Sequence, residues 1–223
     1  PTIFPDWEIL PYDRLSPHQD IVSERLAILS NMPKTGVLLL SASTLAQRVA
    51  PTSWILGEHF DIHVGQKFDL EQQKKKLIQA GYHLVDTVYD PGEFAVRGSI
   101  MDIYASGQEA PIRIDLFDDE IESLKFFDSE TQRTTESLQQ FTVLPAQEFP
   151  LKEGRATFRD RYAEFFPTAN PKKNPIYQDV MDGIVSPGIE FYLPLFFSAE
   201  AMQGQSSLIS YLPKNGIVIT DRA

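Results

Sequence analysis

The sequence predicts an α/β protein in which a parallel-sheet domain is interrupted by a small antiparallel α+β domain. The apolar run "GVLLL" at 36–40 precedes a capped helical pattern, which is typical of a βα unit in a parallel sheet. From about residue 59, short runs alternate between apolar and polar residues, which is typical of antiparallel strands. A last apolar run, "GIVITD", predicts a strand that returns to the parallel sheet. We therefore expect the divisions 1–58, 59–145 and 146–223.

The first division predicts a helix followed by the βα unit. Ser16 and Pro17 have the residue types of an N-cap and a first helical position, and an apolar face continues to about Asn31. The second helix follows "GVLLL" and ends at Pro51. Because the chain opens on Pro1 without a recognisable start of a domain, we expect a fragment of a longer protein.

The middle division predicts one helix among several strands. Asp69 is a suitable helix cap and Gly81 a suitable stop, with Leu70, Leu77 and Ile78 on one face. The runs "YHLVDTVYD", "EFAVRGSIMDIYAS", "PIRIDLF" and "EIESLKFF" predict strands, and the last two are joined by a turn at 118–119. After Leu144 the pattern predicts helices with aromatic faces before the final strand.

The strand "PIRIDLF" ends on an aromatic residue that the alternation assigns to solvent. Its pattern places Ile112, Ile114 and Leu116 on one face and Arg113 and Phe117 on the other. A phenylalanine beside an arginine and a run of acids is either an ordinary exposed apolar residue or the aromatic anchor of a binding patch. Residue pattern alone leaves these two interpretations open.

Composition excludes several classes of protein. A net charge of −11 is unfavourable for a free-standing nucleic-acid binder, since phosphate affinity depends on lysine and arginine. The basic run at 74–76 lies in a helical pattern and indicates a solvated helix face. No apolar run is long enough for a membrane span, and the absence of cysteine excludes disulfides and thiolate chemistry. These features fit a cytoplasmic protein.

Candidate catalytic and metal sites are weak. His59, Asp61 and His63 alternate on one predicted strand face, but solvent faces commonly show this pattern and no fourth ligand is evident. The sequence has no glycine-rich phosphate loop followed by lysine and no G-x-S-x-G elbow. We expect a non-enzymatic chain without cofactor or metal. The alternative is a fragment of an ATP-driven DNA translocase or helicase whose nucleotide site lies outside this chain.

The segment "PGEFAVRGSIMDIYASGQEAPIRIDLFDDEIESLKFFDSETQRT" resembles the region shared by UvrB and the bacterial transcription-repair coupling factors. The flanking "WEILPYDRLSPHQDIVSERLAIL" and "GIEFYLPLFF" are similar to the coupling factors rather than to UvrB. The resemblance covers nearly the whole chain. It implies a UvrB-like module in which a degenerate helicase-like fold, called domains 1a and 1b, carries an inserted domain 2.

The resemblance also implies a partner and a site. Domain 2 of that family docks UvrA and so brings repair proteins to a lesion at which RNA polymerase has stalled. The family's docking residues correspond to Arg97 in "FAVRG" and to Arg113, Phe117 and Asp119 in "RIDLFDDE". Contacts with RNA polymerase and DNA are then expected from other parts of the full-length protein, with no membrane partner. On this interpretation Phe117 is the aromatic anchor.

Overall fold

Short polar side chains cap four of the α-helices among the described residues. The computed structural model describes residues 1–10 and 13–220. The Asp69 side chain accepts a hydrogen bond from the backbone N–H of Gln72, and Ser41 caps the helix that begins at Ala42 through the N–H of Thr44. The α-helices are α1 Gln19–Ser30, α2 Ala42–Ala46, α3 Thr52–Ile55, α4 Leu70–Gln79, α5 Arg155–Phe165, α6 Pro175–Asp182 and α7 Ala199–Met202. Short 3-10 helices span Pro171–Lys173, Ile189–Phe196 and Leu208–Tyr211.

The strands form three separate sheets among the described residues. They are β1 Thr2–Ile3, β2 Leu38–Leu39, β3 Phe60–His63, β4 His83–Leu84, β5 Glu93–Arg97, β6 Ile100–Ile103, β7 Ile112–Phe117, β8 Glu120–Phe127, β9 Thr134–Leu138 and β10 Gln140–Val143. β1 and β2 pair in parallel, β3 and β10 pair antiparallel, and β4 to β9 form a six-stranded sheet in sequence order. Only the β4–β5 pair of that sheet is parallel. The whole is therefore a mixed α/β structure.

Two large hydrophobic cores hold these elements together. The first core takes buried residues from both ends of the chain, between Phe4 and Ile55 and between Phe149 and Leu208. The second core takes its residues from the segment between Ile62 and Ala146, and packs α4 against the six-stranded sheet. The chain enters and leaves the second core through paired strands, since Phe60 of β3 lies opposite Val143 of β10.

Helix α1 connects the two cores. Its Leu26 and Leu29 are buried in the first core, whereas the Ser23 hydroxyl accepts a 2.8 Å hydrogen bond from the backbone N–H of Gly107, in the β6–β7 loop. The buried Arg25 guanidinium donates to the Glu148 carboxylate at 2.6 Å, so α1 is also tied to the segment that follows β10. These contacts fix the second core against the first.

The predicted parallel sheet is much smaller than expected. The run "GVLLL" contributes only β2, and Val37 and Leu39 are 58% and 48% exposed, so this run is not the buried strand that its apolar residues predict for a parallel sheet. The predicted return strand was also wrong where it can be compared: residues 216–220 form no strand, and Ile217 and Ile219 are largely exposed. Asp221, the last residue of that prediction, lies outside the described residues.

Several local boundaries also differ from prediction. Helix α1 is capped by His18, because the Ser16 hydroxyl instead donates to the Glu190 carboxylate at 3.1 Å. The run "YHLVDTVYD" gives only the short β4, and Val88 from that run packs on the opposite face of the sheet. Ile78 was expected on the buried face of α4 but is 37% exposed. None of the helices in the described ranges is long and apolar enough to cross a membrane.

A candidate docking site on the outer face of the sheet

The six-stranded sheet has an outer face, turned away from the second core, that is only partly covered. Strands β5 to β8 are joined by two tight hairpins at the same end of the sheet, one at Gly98 and Ser99 and the other at Asp118 and Asp119. Gly98 has φ +62° and Asp118 has φ +55°, conformations that two-residue hairpin turns require. Gly98 is therefore part of the turn that joins β5 to β6.

Phe117 lies on this outer face next to the second hairpin. Its side chain is 69% exposed, whereas Ile112, Ile114 and Leu116 of the same strand are buried in the second core, as their alternation predicts. The register of β7 against β8 shifts between Asp115 and Leu116, so the bulge lies just before the aromatic residue. A large apolar side chain is therefore presented to solvent at the end of a well-packed strand.

Arg97 and Arg113 meet on the outer face through a shared carboxylate. Arg113 donates from Nε to Asp102 Oδ1 at 2.7 Å and from Nη2 to Oδ2 at 2.9 Å, while Arg97 donates from Nη2 to the same Oδ2 at 2.5 Å. The hydrogen bond to Asp102 raises the pKa of Arg113 above its ordinary value. The Asp102 side chain is 1% exposed, and those of Arg97 and Arg113 are 49% and 18% exposed. The cluster carries one positive charge in excess.

Asp119, the fourth predicted residue, lies at the hairpin tip and does not join this cluster. Its carboxylate accepts a 2.7 Å hydrogen bond from Lys67, and this contact lowers the pKa of Asp119 and raises that of Lys67. Backbone bonds from Gly65 to Ile121 and from Phe68 to Asp119 hold the loop before α4 along the start of β8. The structure thus brings Arg97 and Arg113 together and places Asp119 in a separate, exposed ion pair.

The remainder of the outer face divides into a covered half and an open half. Val88 packs over Ala95 and Phe127 and covers the end far from the hairpins. On the open half, Asp115 accepts hydrogen bonds from Ser123 at 2.9 Å and from Lys125 at 3.3 Å. The open half therefore combines an exposed aromatic residue with paired charges, a composition common at protein interfaces.

Sequence reasoning missed Asp102 and Lys67. The two-residue turn at Gly98 pairs Arg97 with Ile100, which sets Asp102 diagonally across from Arg97 and directly opposite Arg113. The hairpin signal "RGSI" could have fixed this register, and with it the position of the acid. The contact of Lys67 with Asp119 joins elements distant in sequence, and no local pattern indicates it.

The residues considered for metal binding are engaged otherwise. Asp61 accepts a 2.6 Å hydrogen bond from the Thr142 hydroxyl, and the His63 ring contacts the carbonyl of Val64 at 3.1 Å. Within 1–10 and 13–220, no three His, Asp or Glu side chains converge as a metal site would require.

An open sheet face with an exposed aromatic residue and arginines is typical of protein-interaction domains, and known families contain a similar domain. Residues 60–149, which contain the six-stranded sheet, match the family described as the UvrB interaction domain. The chain is also 42% identical over 219 residues to the transcription-repair-coupling factor of Escherichia coli (strain K12), covering 96% of this chain. The corresponding protein of Haemophilus influenzae is 39% identical over 97% of this chain, and that of Myxococcus xanthus 31% over 92%.

Residues 60–149 are therefore similar to the UvrB interaction domain, and nearly the whole chain is similar to one part of the transcription-repair-coupling factors. It spans 18% of the E. coli protein, 19% of the H. influenzae protein and 17% of the M. xanthus protein.

Proposed function

We propose that this chain is a non-catalytic module of a transcription-repair coupling factor that docks UvrA. The observation that carries the proposal is the open half of the outer face, where Phe117 is 69% exposed beside the Arg97–Asp102–Arg113 cluster. This face lies within the segment that matches the UvrB interaction domain. The domain arrangement that we propose with it is a helicase-like scaffold from residues 1–58 and 146–223 carrying domain 2 at 59–145.

The proposed contact combines an apolar anchor with charge-assisted hydrogen bonds. Phe117 can enter an apolar socket on UvrA, since an aromatic residue loses little side-chain entropy for the area that it buries. The excess positive charge of the cluster favours an acidic group on UvrA opposite Arg97, whose guanidinium is half exposed. Asp119 and Lys67 lie at the rim, where an exposed ion pair contributes to orientation more than to affinity.

The proposal extends to a full-length protein like the E. coli relative, of which this chain spans 18%. Docked UvrA would be brought to RNA polymerase stalled at a lesion, with the contacts to polymerase and DNA supplied by other parts of the protein. This chain's net charge of −11 supports that division of roles, because an acidic module gains little from phosphate.

Titration of purified UvrA against variants of this chain tests the proposal. Phe117→Ala should weaken binding by about 2 kcal/mol, roughly thirtyfold, because it removes a central anchor. Arg97→Ala and Arg113→Ala should weaken it comparably. Phe165→Ala is a matched control, since Phe165 is 55% exposed but belongs to α5, and Lys75→Ala on α4 is a second control. Wild-type chain that fails to bind UvrA, or full binding by folded Phe117→Ala, would disprove the proposed site.

A nucleotide titration separates this function from the translocase alternative. Phosphate binding needs a glycine-rich cradle with a lysine, and the sequence has none. We therefore expect no saturable ATP binding by calorimetry. Binding at micromolar ATP would favour the alternative.

A further inference from the structure

The Asp102 side chain is buried, although it lies on the outer face of its strand. It lies on the outer face of β6, yet its side chain is 1% exposed because two guanidinium groups cover it. A buried carboxylate is costly unless its oxygens are hydrogen-bonded and its charge is paired. Arg97 and Arg113 meet both conditions, so the three side chains form one charge-paired cluster.

The two arginines depend on Asp102 to different degrees. Arg113 has other supports: its guanidinium carbon lies 4.9 Å from the centre of the Phe127 ring, and its Nη1 is 3.5 Å from the carbonyl oxygen of Gln132. Arg97 has a single hydrogen-bonded side-chain partner among the described residues, and that partner is Asp102. Loss of the carboxylate would therefore release Arg97 first.

We propose that Asp102 is a positioning residue of the docking site, which holds Arg97 beside Arg113 in the orientation that the partner binds. Both guanidinium groups donate to Oδ2 of the same carboxylate. The negative charge of Asp102 offsets the repulsion between the two positive charges, so the guanidinium groups can lie side by side. Within the described residues only Nη2 of the Arg97 guanidinium donates a hydrogen bond, so its Nε and Nη1 groups can donate to a carboxylate of the partner. This role rests on the UvrA-docking function proposed above.

Pre-organisation of Arg97 by Asp102 should increase the affinity for the partner. A free arginine loses rotamer freedom when it binds, and a side chain that is already fixed avoids this cost. Asp102→Asn keeps the shape of the side chain but replaces one acceptor oxygen by a donor that faces a cation. The remaining oxygen cannot serve both arginines as the carboxylate does, so Arg97 becomes mobile.

The test is a double-mutant cycle with UvrA titration. Asp102→Asn should weaken binding about tenfold, and the same substitution should have little further effect when Arg97 is already alanine. Asp61→Asn is the control, since Asp61 also accepts a side-chain hydrogen bond on a strand but lies on the β3–β10 sheet. Wild-type affinity in Asp102→Asn, or an equal loss in the Arg97→Ala background, overturns the positioning role.

A second measurement uses only the wild-type protein, so it does not depend on whether a variant folds. Side-chain NMR relaxation of Arg97 Nε in the unbound wild-type protein should show an ordered guanidinium, unlike that of Arg159, which is 59% exposed and pairs with its neighbour Asp160. Equal mobility of the two arginines overturns the proposal. If wild-type chain does not bind UvrA at all, both the docking function and this role fail. If the wild-type chain binds UvrA and Phe117→Ala does not, the docking function stands. An unchanged affinity of Asp102→Asn would then disprove the positioning role alone.

Discussion

Ile114 and Phe117 are three residues apart on β7 and face opposite environments. Ile114 is fully buried in the second core, whereas Phe117 is 69% exposed. We expect Ile114→Ala to lower the free energy of unfolding by about 2 to 5 kcal/mol, because it removes buried methyl groups and leaves a cavity. Phe117→Ala should change the same quantity little. Urea titration of both variants measures this, and an early transition in Phe117→Ala with a normal one in Ile114→Ala would reverse the two faces.

Glu190 is a buried acid whose ionisation opposes folding. Its side chain is largely buried and accepts a hydrogen bond from Ser16, and burial, aided by repulsion from Glu148, raises its pKa from 4.5 to about 7. Between these two values the unfolded chain has released the proton and the folded chain retains it. Stability is therefore fully present below about pH 4.5 and falls as the pH rises to about 7.

The substitution Glu190→Gln should remove this dependence. The amide oxygen can still accept from Ser16, and no charge has to form in the core. We expect equal stability of variant and wild type near pH 4.5, and a variant more stable by up to about 3 kcal/mol at pH 8. Unfolding titrations of both proteins across this range measure the difference. A difference that does not change with pH would show that Glu190 ionises normally in the folded protein.

At the scale of elements, local patterns predicted the turn at 118–119 and the Asp69 cap, but missed the turn at Gly98 and the cap of α1 and predicted the parallel sheet poorly. Capping by Asp69 and the alternation of β7 depend on neighbouring residues, so the sequence contains the needed information. The run "GVLLL" indicates that these residues favour burial, but it does not indicate which strand will pair with them and cover them. Within the described residues β2 pairs only with β1, and Val37 and Leu39 stay exposed.

The candidate site was predictable to a similar extent. Alternation predicted the exposure of Phe117, and the family resemblance supplied Arg97 and Asp119 as expectations that still await a binding measurement. Asp102 required the register of two strand pairs, and the Lys67 contact required packing between distant segments. Such tertiary contacts have no signal within a short window of residues.

The β6–β7 loop is the element by which the sheet contacts α1, and Gly107 allows its close approach. This glycine has φ +81°, and a Cβ there would lie 3.0 Å from the Cβ of Ala27 and 3.3 Å from Cδ1 of Leu144. Gly107→Ala should therefore lower the free energy of unfolding by more than the roughly 1 kcal/mol that a positive φ alone costs.

Gly204→Ala provides the matched control. Gly204 has a similar φ of +70°, but a Cβ there meets nothing within 4 Å, so this substitution carries the backbone cost alone. Thermal unfolding of the two variants should show the larger loss for Gly107→Ala. Equal losses of unfolding free energy in the two variants would mean that α1 and the β6–β7 loop can move apart at no cost in stability.

At the scale of the whole molecule, the docking face and the first core are on different parts of the chain. All four predicted docking residues lie between 97 and 119, within the segment that forms the second core and matches the UvrB interaction domain. The first core is built from residues before Ile62 and after Ala146. Glu58, His59 and Pro145 line one cleft, so the two crossings between the cores lie close together.

This arrangement predicts that folding and docking can be separated by cutting the chain at the crossings. A chain of residues 59–147 retains the second core and the paired β3 and β10, and should fold and bind UvrA with the affinity of the whole chain. It should be less stable, because it loses the hydrogen bonds from Gln19 to the Ala146 carbonyl and from the Gly107 N–H to Ser23.

The complementary chain, residues 1–58 joined to 146–220 by a short Gly/Ser linker, should keep the first core and bind no UvrA, because it lacks the outer face. The linker is feasible because Glu58 and Pro145, at or next to the two ends, line the same cleft. Circular dichroism establishes that each chain is folded, and calorimetric titration with UvrA measures affinity. UvrA binding by the complementary chain, or a folded 59–147 chain with strongly reduced affinity, would place part of the docking surface on the first core, where α1 approaches the sheet.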